Sequence, residues 1–195
     1  MPTILEAGHR INLTKTSPGL KRVRIGLGWK VNAAEGEEFD LDLSVFLCGK
    51  NGDDDPQMLS NAHIVFYNQL TSPDGAVVHS GDNRTGDKDG DDEVVTVDLA
   101  KVDAQVVEMP IVVTIHEAEI RKQNFGRVNG AYVKVYNDET DVVLAQYDLN
   151  EDYSDKTALQ FGSLYRKEGQ WRFQAVGAGF KLNLGTFIRK LGGTV

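Results

Sequence analysis

Apolar and polar positions alternate with a period of two along most of the chain. In Phe39-Asp40-Leu41-Asp42-Leu43-Ser44-Val45-Phe46-Leu47 positions 39, 41, 43, 45 and 47 are all apolar, the signature of a strand with one face in the core. On this reading Leu41, Leu43 and Val45 point inward, and the other face shows Asp40, Asp42 and Ser44. Val23, Ile25, Leu27 and Trp29 keep the same phase across 22–29. Further strands are predicted near 62–68, 76–79, 94–99, 111–119, 131–137 and 142–148. Lys167-Glu168-Gly169-Gln170 marks a turn that joins 159–166 to 171–176 as a hairpin. Helical signal is thin. The stretch 98–107 reads as a short helix, and Leu184, Phe187, Ile188 and Leu191 recur at helical spacing behind Asn183, a capping residue type. Many strands and few helices predict an all-β dominated fold: a β-sandwich of two mostly antiparallel sheets with a few short helices. No repeat, low-complexity tract or linker divides the sequence, so residues 1–195 read as a single domain.

Composition narrows the class. A chain of 195 residues with 41% hydrophobic content buries a core without disulfide or metal staples. Cys48 is the only cysteine, which excludes an intrachain disulfide framework. The first residues lack a basic segment leading into an apolar one, and no apolar run approaches the roughly 18 residues of a membrane span. A cytoplasmic protein is the expectation. A formal net charge of −8 argues against nucleic acid as a partner, because that affinity comes from Lys and Arg displacing counterions from phosphates. Lys21, Arg22 and Arg24 read as a solubility device on an edge strand.

The acidity is local. Residues 35–55 and 82–93 together hold fourteen acids and three bases, while the rest of the chain is mildly positive. The second segment, Gly81-Asp82-Asn83-Arg84-Thr85-Gly86-Asp87-Lys88-Asp89-Gly90-Asp91-Asp92-Glu93, interleaves hard oxygen donors with glycines that let the backbone curl, as a Ca²⁺ ion wanting six to eight oxygens requires. Asp82 and Glu93 occupy the first and twelfth places of a twelve-residue loop, yet Arg84 stands third, Asp87 replaces the sixth-place glycine, and the flanks alternate like strands. An EF-hand is thereby excluded, and a calcium loop in a β context remains. Asp40 and Asp42, two residues apart on a strand, project from one face about 7 Å apart and suit the same or adjacent cation sites. Asp53-Asp54-Asp55-Pro56 reads as a solvated loop tip.

Other chemistry finds little support. His9, His63, His79 and His116 make no paired-ligand pattern, and His116-Glu117-Ala118-Glu119 lacks the second histidine of a zinc protease motif. Gly26-Leu27-Gly28 has no third glycine or following helix, so a dinucleotide fold is excluded. Cys48 reads as a packed thiol at a strand end. No catalytic constellation assembles.

The strand Phe39 to Ser44, the segment Gly81 to Glu93, Tyr147-Asp148-Leu149, and the pair Phe161-Gly162 with Trp171 to Gly177 resemble the TerD family of bacterial tellurium-resistance and stress proteins, over about Leu13 to Phe180. The resemblance implies a Ca²⁺-binding β-sandwich without established enzymatic activity, binding two ions. It places metal ligands among Asp40, Asp42, Asp82, Asn83, Thr85, Gly90, Asp91, Asp92 and Glu93, with Thr85 and Gly90 acting through backbone carbonyls. Asn68, Glu117 and Asp148 are further candidate ligands. Other tellurium-resistance and stress proteins are the implied partners, in a Ca²⁺-dependent sensor or scaffold complex near the inner membrane surface. Two alternatives use the same carboxylates: a C2-like module bridged by Ca²⁺ to anionic lipid, and an enzyme using Mg²⁺ or Mn²⁺ in phosphoryl transfer or hydrolysis.

Overall fold

The computed structural model describes residues 3–30, 38–86, 90–149 and 153–194. Its strands are β1 (Thr3–Ile4), β2 (Arg10–Asn12), β3 (Arg22–Lys30), β4 (Leu41–Phe46), β5 (Cys48–Lys50), β6 (Pro56–Met58), β7 (Ile64–Val65), β8 (Val77–His79), β9 (Glu93–Asp98), β10 (Glu108–Ile115), β11 (Asn129–Asn137), β12 (Val142–Asp148), β13 (Ala158–Lys167) and β14 (Gln170–Phe180). Three short helices accompany them: α1 (Leu13–Thr16), α2 (Ala118–Arg121) and α3 (Leu184–Lys190). One sheet runs β1-β12-β11-β3-β9-β8; the other runs β2-β14-β13-β10-β4-β7, with β5 and β6 attached through β10. Apart from the parallel β1–β12 pair, these pairings are antiparallel. The expected sandwich is therefore present, as is the β13–β14 hairpin.

The period of two supplies the core. Val23, Ile25 and Leu27 from one sheet meet Leu41, Leu43, Val45, Ile111 and Val113 from the other, all buried. The outer face of the second sheet is also covered. There α3, capped by the Asn183 side chain accepting from Thr186 N–H at 2.9 Å, lays Phe187 and Ile188 over Phe46, Ile64 and Val112. Burial of a phenylalanine such as Phe187 contributes about 2–3 kcal/mol. No described helix is long and apolar enough to cross a membrane.

Several local expectations change. The strand expected to be half-buried, β4, is buried on both faces: Asp40, Asp42 and Ser44 are 5%, 4% and 0% exposed, because α3 covers the Phe46 end of their face and the loop carrying Asp82 comes down on the Asp42 end. The helix at 98–107 is absent. Instead the carboxylates of Asp98 and Asp103 accept from the N–H groups of Ala100 and Gln105, a local competition that favours turns over helix, while Val102 and Val106 plug the core. The predicted strand 111–119 stops at Ile115, since Glu117 turns left-handed at φ 50° and starts α2. The strand at 62–68 contracts to Ile64–Val65. Arg22 and Arg24 lie on β3, an interior strand, where Arg24 stacks on Tyr136 at 4.1 Å and pairs with Asp138 at 3.6 Å. They are not an edge device.

Candidate metal centre

Three carboxylates from two segments converge where β4 begins. Asp40 precedes β4 and Asp42 is its second residue, so they leave the strand on one face; Asp82 reaches them from the loop after β8. One oxygen from each lies within 4.8 Å of the other two. At that separation two unit charges repel by roughly 3 kcal/mol in an effective dielectric near 20. Compensation by nearby cations is weak. Arg84 Nε stands 3.7 Å from Asp40 on a side chain that is 74% exposed, and such pairs return about 0–1 kcal/mol. His116 Nδ1 is 3.7 Å from Asp42, also beyond hydrogen-bond reach.

The protein alone leaves this cluster unsatisfied. Asp40 Oδ1 is buried and has no hydrogen-bond partner among the described residues. Burial, then Asp40, Glu93 and Asp82, pushes the Asp42 carboxyl up to about 8. Burial and Asp82 raise Asp40 as well, against the opposing pull of His116 and Arg84. The same three carboxylates, after burial, raise the nearby Tyr67 hydroxyl. A cation would satisfy the orphaned oxygen and remove the repulsion together. The donors are carboxylate oxygens without thiolate, which suits a hard ion such as Ca²⁺, Mg²⁺ or Mn²⁺.

The end of the acidic segment is arranged differently. Glu93, fully buried, accepts from Leu43 N–H at 2.7 Å and from Asn83 N–H at 3.2 Å. Its reach to Leu43 has a structural cause: β7 pairs only with Val45 and Phe46, so the Leu43 N–H lies beyond the last rung of that ladder. Since Glu93 opens β9 in one sheet and Leu43 lies in the other, this bond stitches the sandwich together. Asp92 accepts from Trp29 N–H at 3.0 Å and from the Asn83 side-chain amide at 3.1 Å. Asp91 turns to the other side of β3. Its Oδ1 accepts from Tyr132 and Tyr136 hydroxyls at 3.0 and 3.1 Å, and the carboxylate rests against Gly26, where a Cβ would come within 2.1 Å of it.

The remaining predicted residues fall around these two groups. Asn83 organises the loop, its Oδ1 accepting from both the N–H and the hydroxyl of Thr85. Gly90, at φ 104°, gives its carbonyl to Tyr132 at 2.9 Å. Asn68 occupies an exposed turn position beside Tyr67. Asp148 accepts from Gln146 at 2.6 Å, and exposed Glu117 lines a cleft next to Asp40. Asp87, Lys88 and Asp89 lie outside the described residues, as do Glu35 and Glu37. Asp53 to Asp55 form an exposed turn in which Asn51 accepts from the N–H groups of Asp53 and Asp55.

Sequence reasoning missed the supports of the site. Trp29 joins three segments: its N–H meets Asp92, its indole N–H donates to the Phe39 carbonyl at 3.1 Å, and Gly86 packs so closely on the ring that a Cβ would lie 2.2 Å from Nε1. His79 is buried 3.5 Å from Glu93, with Nδ1 accepting from Gly81 N–H at 3.0 Å. Alternation placed Trp29 in the core, but only the fold shows which backbone groups it serves. Cys48 is buried beneath α3 and its thiol is pushed up to about 12 by burial, so it is not a thiolate at neutral pH.

The TerD domain model matches residues 1–191. Tellurium resistance protein TerD of Serratia marcescens is 44% identical over 192 residues, covering 98% of both chains. General stress protein 16U of Bacillus subtilis (strain 168) is 48% identical over 182 residues, covering 93% of this chain and 92% of that one. Among solved structures, a homologue of telluride resistance protein (TerD) from Streptomyces coelicolor A3(2) superposes with a TM-score of 0.71 at 23% identity, over 91% of this chain and 100% of that one, a likeness of fold. With a domain model spanning nearly its whole length and relatives at this identity, the chain belongs to the TerD family of tellurium-resistance and stress-response proteins.

Proposed function

We propose that the chain is a Ca²⁺-binding protein of the tellurium-resistance and stress response, acting without turnover of its own as a cation-dependent sensor or scaffold in a cytoplasmic complex of related stress proteins. The observation that carries this reading is the convergence of Asp40, Asp42 and Asp82 within 4.8 Å, with a buried Asp40 oxygen that no group among the described residues satisfies. A bound Ca²⁺ supplies the positive charge that cancels their repulsion. Asp40 and Asp42 then hold one end of β4, and Asp82 fixes the loop to it, so loading stiffens the junction between the 81–86 loop and the second sheet. That stiffening is the signal a partner reads.

Titration calorimetry tests the reading. The parent protein takes up Ca²⁺ and its melting temperature rises with ion concentration, because the unfolded chain lacks the assembled site. Asp42→Asn loses both responses while staying folded. Absence of uptake by the parent at millimolar Ca²⁺ removes the reading. Stoichiometry decides between one ion and the two that the family resemblance implies: the described carboxylates build one such cluster, and a second ion would draw on the adjoining 82–93 segment. Partner capture with and without Ca²⁺ then tests the sensor role, which an unchanged partner set refutes.

A further inference from the structure

Beside the carboxylate triad lies an open cleft of about 460 Å³. Buried Asp40 contributes to its wall, so the cleft and the cation site share a residue. Three nitrogen-bearing side chains line it from three separate segments: Arg84 of the acidic loop, His116 just past β10, and Arg121 of α2. Arg121 donates to the Glu38 carbonyl, which ties α2 to the segment leading into β4. Arg84 and His116 are held only loosely, each 3.7 Å from a triad carboxylate, Asp40 and Asp42 respectively.

These contacts couple the cleft to the cation. Once Asp40 and Asp42 are engaged by a divalent ion, their negative charge is no longer available to Arg84 and His116. Two nitrogen groups are then left beside the ion, facing a cleft large enough for a small ligand. The triad also gives only three carboxylates to an ion that wants six to eight oxygens. Among the described acids nearby, Asp92 and Glu93 are already held by backbone N–H groups and Asp91 by two tyrosines. A ligand entering through the cleft would add oxygens to the ion.

We infer that this cleft binds the phosphate group of a small ligand or lipid headgroup beside the bound cation, with Arg84 and His116 as its protein contacts. The inference rests on the proposed cation site. A tetrahedral phosphate carries enough oxygens to meet the ion, a guanidinium and an imidazole at once, which a carboxylate with two oxygens does not, and the guanidinium fork matches phosphate geometry. Exposed Glu38 and Glu117 also line the cleft. Their charge disfavours a polyanion such as nucleic acid and favours a single compact phosphate.

The test is calorimetry with glycerol 3-phosphate, in EDTA and at saturating Ca²⁺, paired with sedimentation of vesicles made of phosphatidylcholine alone or of phosphatidylcholine and phosphatidic acid in equal parts. The expected result is phosphate binding only with Ca²⁺, and a reciprocal tightening of Ca²⁺ by the same factor when the phosphate is present. Arg84→Ala weakens the phosphate by about tenfold, the order of losing a charge-assisted contact, yet leaves Ca²⁺ affinity without phosphate unchanged or higher. Because Arg84 is largely exposed, its loss does not threaten folding, and an unchanged melting temperature verifies this. Binding of the soluble ester without vesicle sedimentation assigns a free phosphate; sedimentation that needs both phosphatidic acid and Ca²⁺ assigns a headgroup. Normal Ca²⁺ uptake with neither ester nor vesicle bound overturns the inference and leaves the cation site standing. No Ca²⁺ uptake at all removes both.

Discussion

Two groups of carboxylates drawn from the same acidic segments meet opposite fates. Asp92 and Glu93 are as buried as Asp40 and Asp42, but each is met by N–H donors: Trp29 and Asn83 for Asp92, Leu43 and Asn83 for Glu93. In the triad Asp40 Oδ1 has no partner among the described residues, and Asp42 is driven toward its protonated form. Burial therefore does not distinguish a candidate ligand carboxylate from an anchoring one; the supply of hydrogen-bond donors does. An anchored carboxylate stabilises the fold as it stands, while an undonated one destabilises it until a cation arrives.

The largest expected difference between the groups is in stability without metal. Glu93→Ala strands the Leu43 and Asn83 N–H groups inside the sandwich and should cost about 3 kcal/mol or more in EDTA, read by denaturant unfolding. A loss below about 1 kcal/mol would mean that Glu93 is not an anchor. Asp42→Asn should behave oppositely, raising cation-free stability near pH 8 by removing a repelling charge. It should also abolish the Ca²⁺-dependent gain, which for the parent is about 2.7 kcal/mol at a hundredfold excess over Kd. If Asp42→Asn keeps that gain, the triad is not the site.

The pH dependence sharpens the same contrast. A carboxyl whose pKa the fold raises binds its proton more tightly folded than unfolded. The cation-free protein thus carries no penalty from Asp42 below its ordinary 3.8, acquires it as pH rises, and carries it fully above about 8. Cation binding at neutral pH must displace that proton. Calorimetry in two buffers of different ionisation enthalpy should detect about one proton released per ion near pH 7, and almost none above pH 9. Binding heats that do not depend on the buffer would contradict the raised Asp42 pKa.

Smaller effects follow at the periphery. Tyr132→Phe or Tyr136→Phe removes one of the two hydroxyls on Asp91 and should cost about 1 kcal/mol; the double variant should exceed the sum, because Asp91 then loses both donors. Additive losses would show that the tyrosines do not act on one carboxylate. Asp54→Asn, at an exposed turn position with φ 65° that asparagine accepts readily, should change stability by less than about 0.5 kcal/mol and leave Ca²⁺ uptake as it was. A lost Ca²⁺ response there would move the site to the 53–55 turn.

The sequence by itself pointed to the sandwich, because a period of two along β3, β4, β9 and β11, with little helical signal, asks for apolar sheet faces packed together. It also determined the hairpin, the capped terminal helix and the neighbourhood of the site, since carboxylates interleaved with glycines have few other uses. Only the tertiary structure decided which of those acids converge into a cluster that could hold a cation. The donors that separate Asp92 and Glu93 from Asp42 are backbone N–H groups, of Trp29 for Asp92 and of Leu43 and Asn83 for Glu93; such groups are uniform along any chain, so no local pattern marks them. The same holds for the face of β4 that carries Asp40 and Asp42. Alternation says that two faces differ, but α3 and the Asp82 loop, arriving from far along the chain, decide that both are buried.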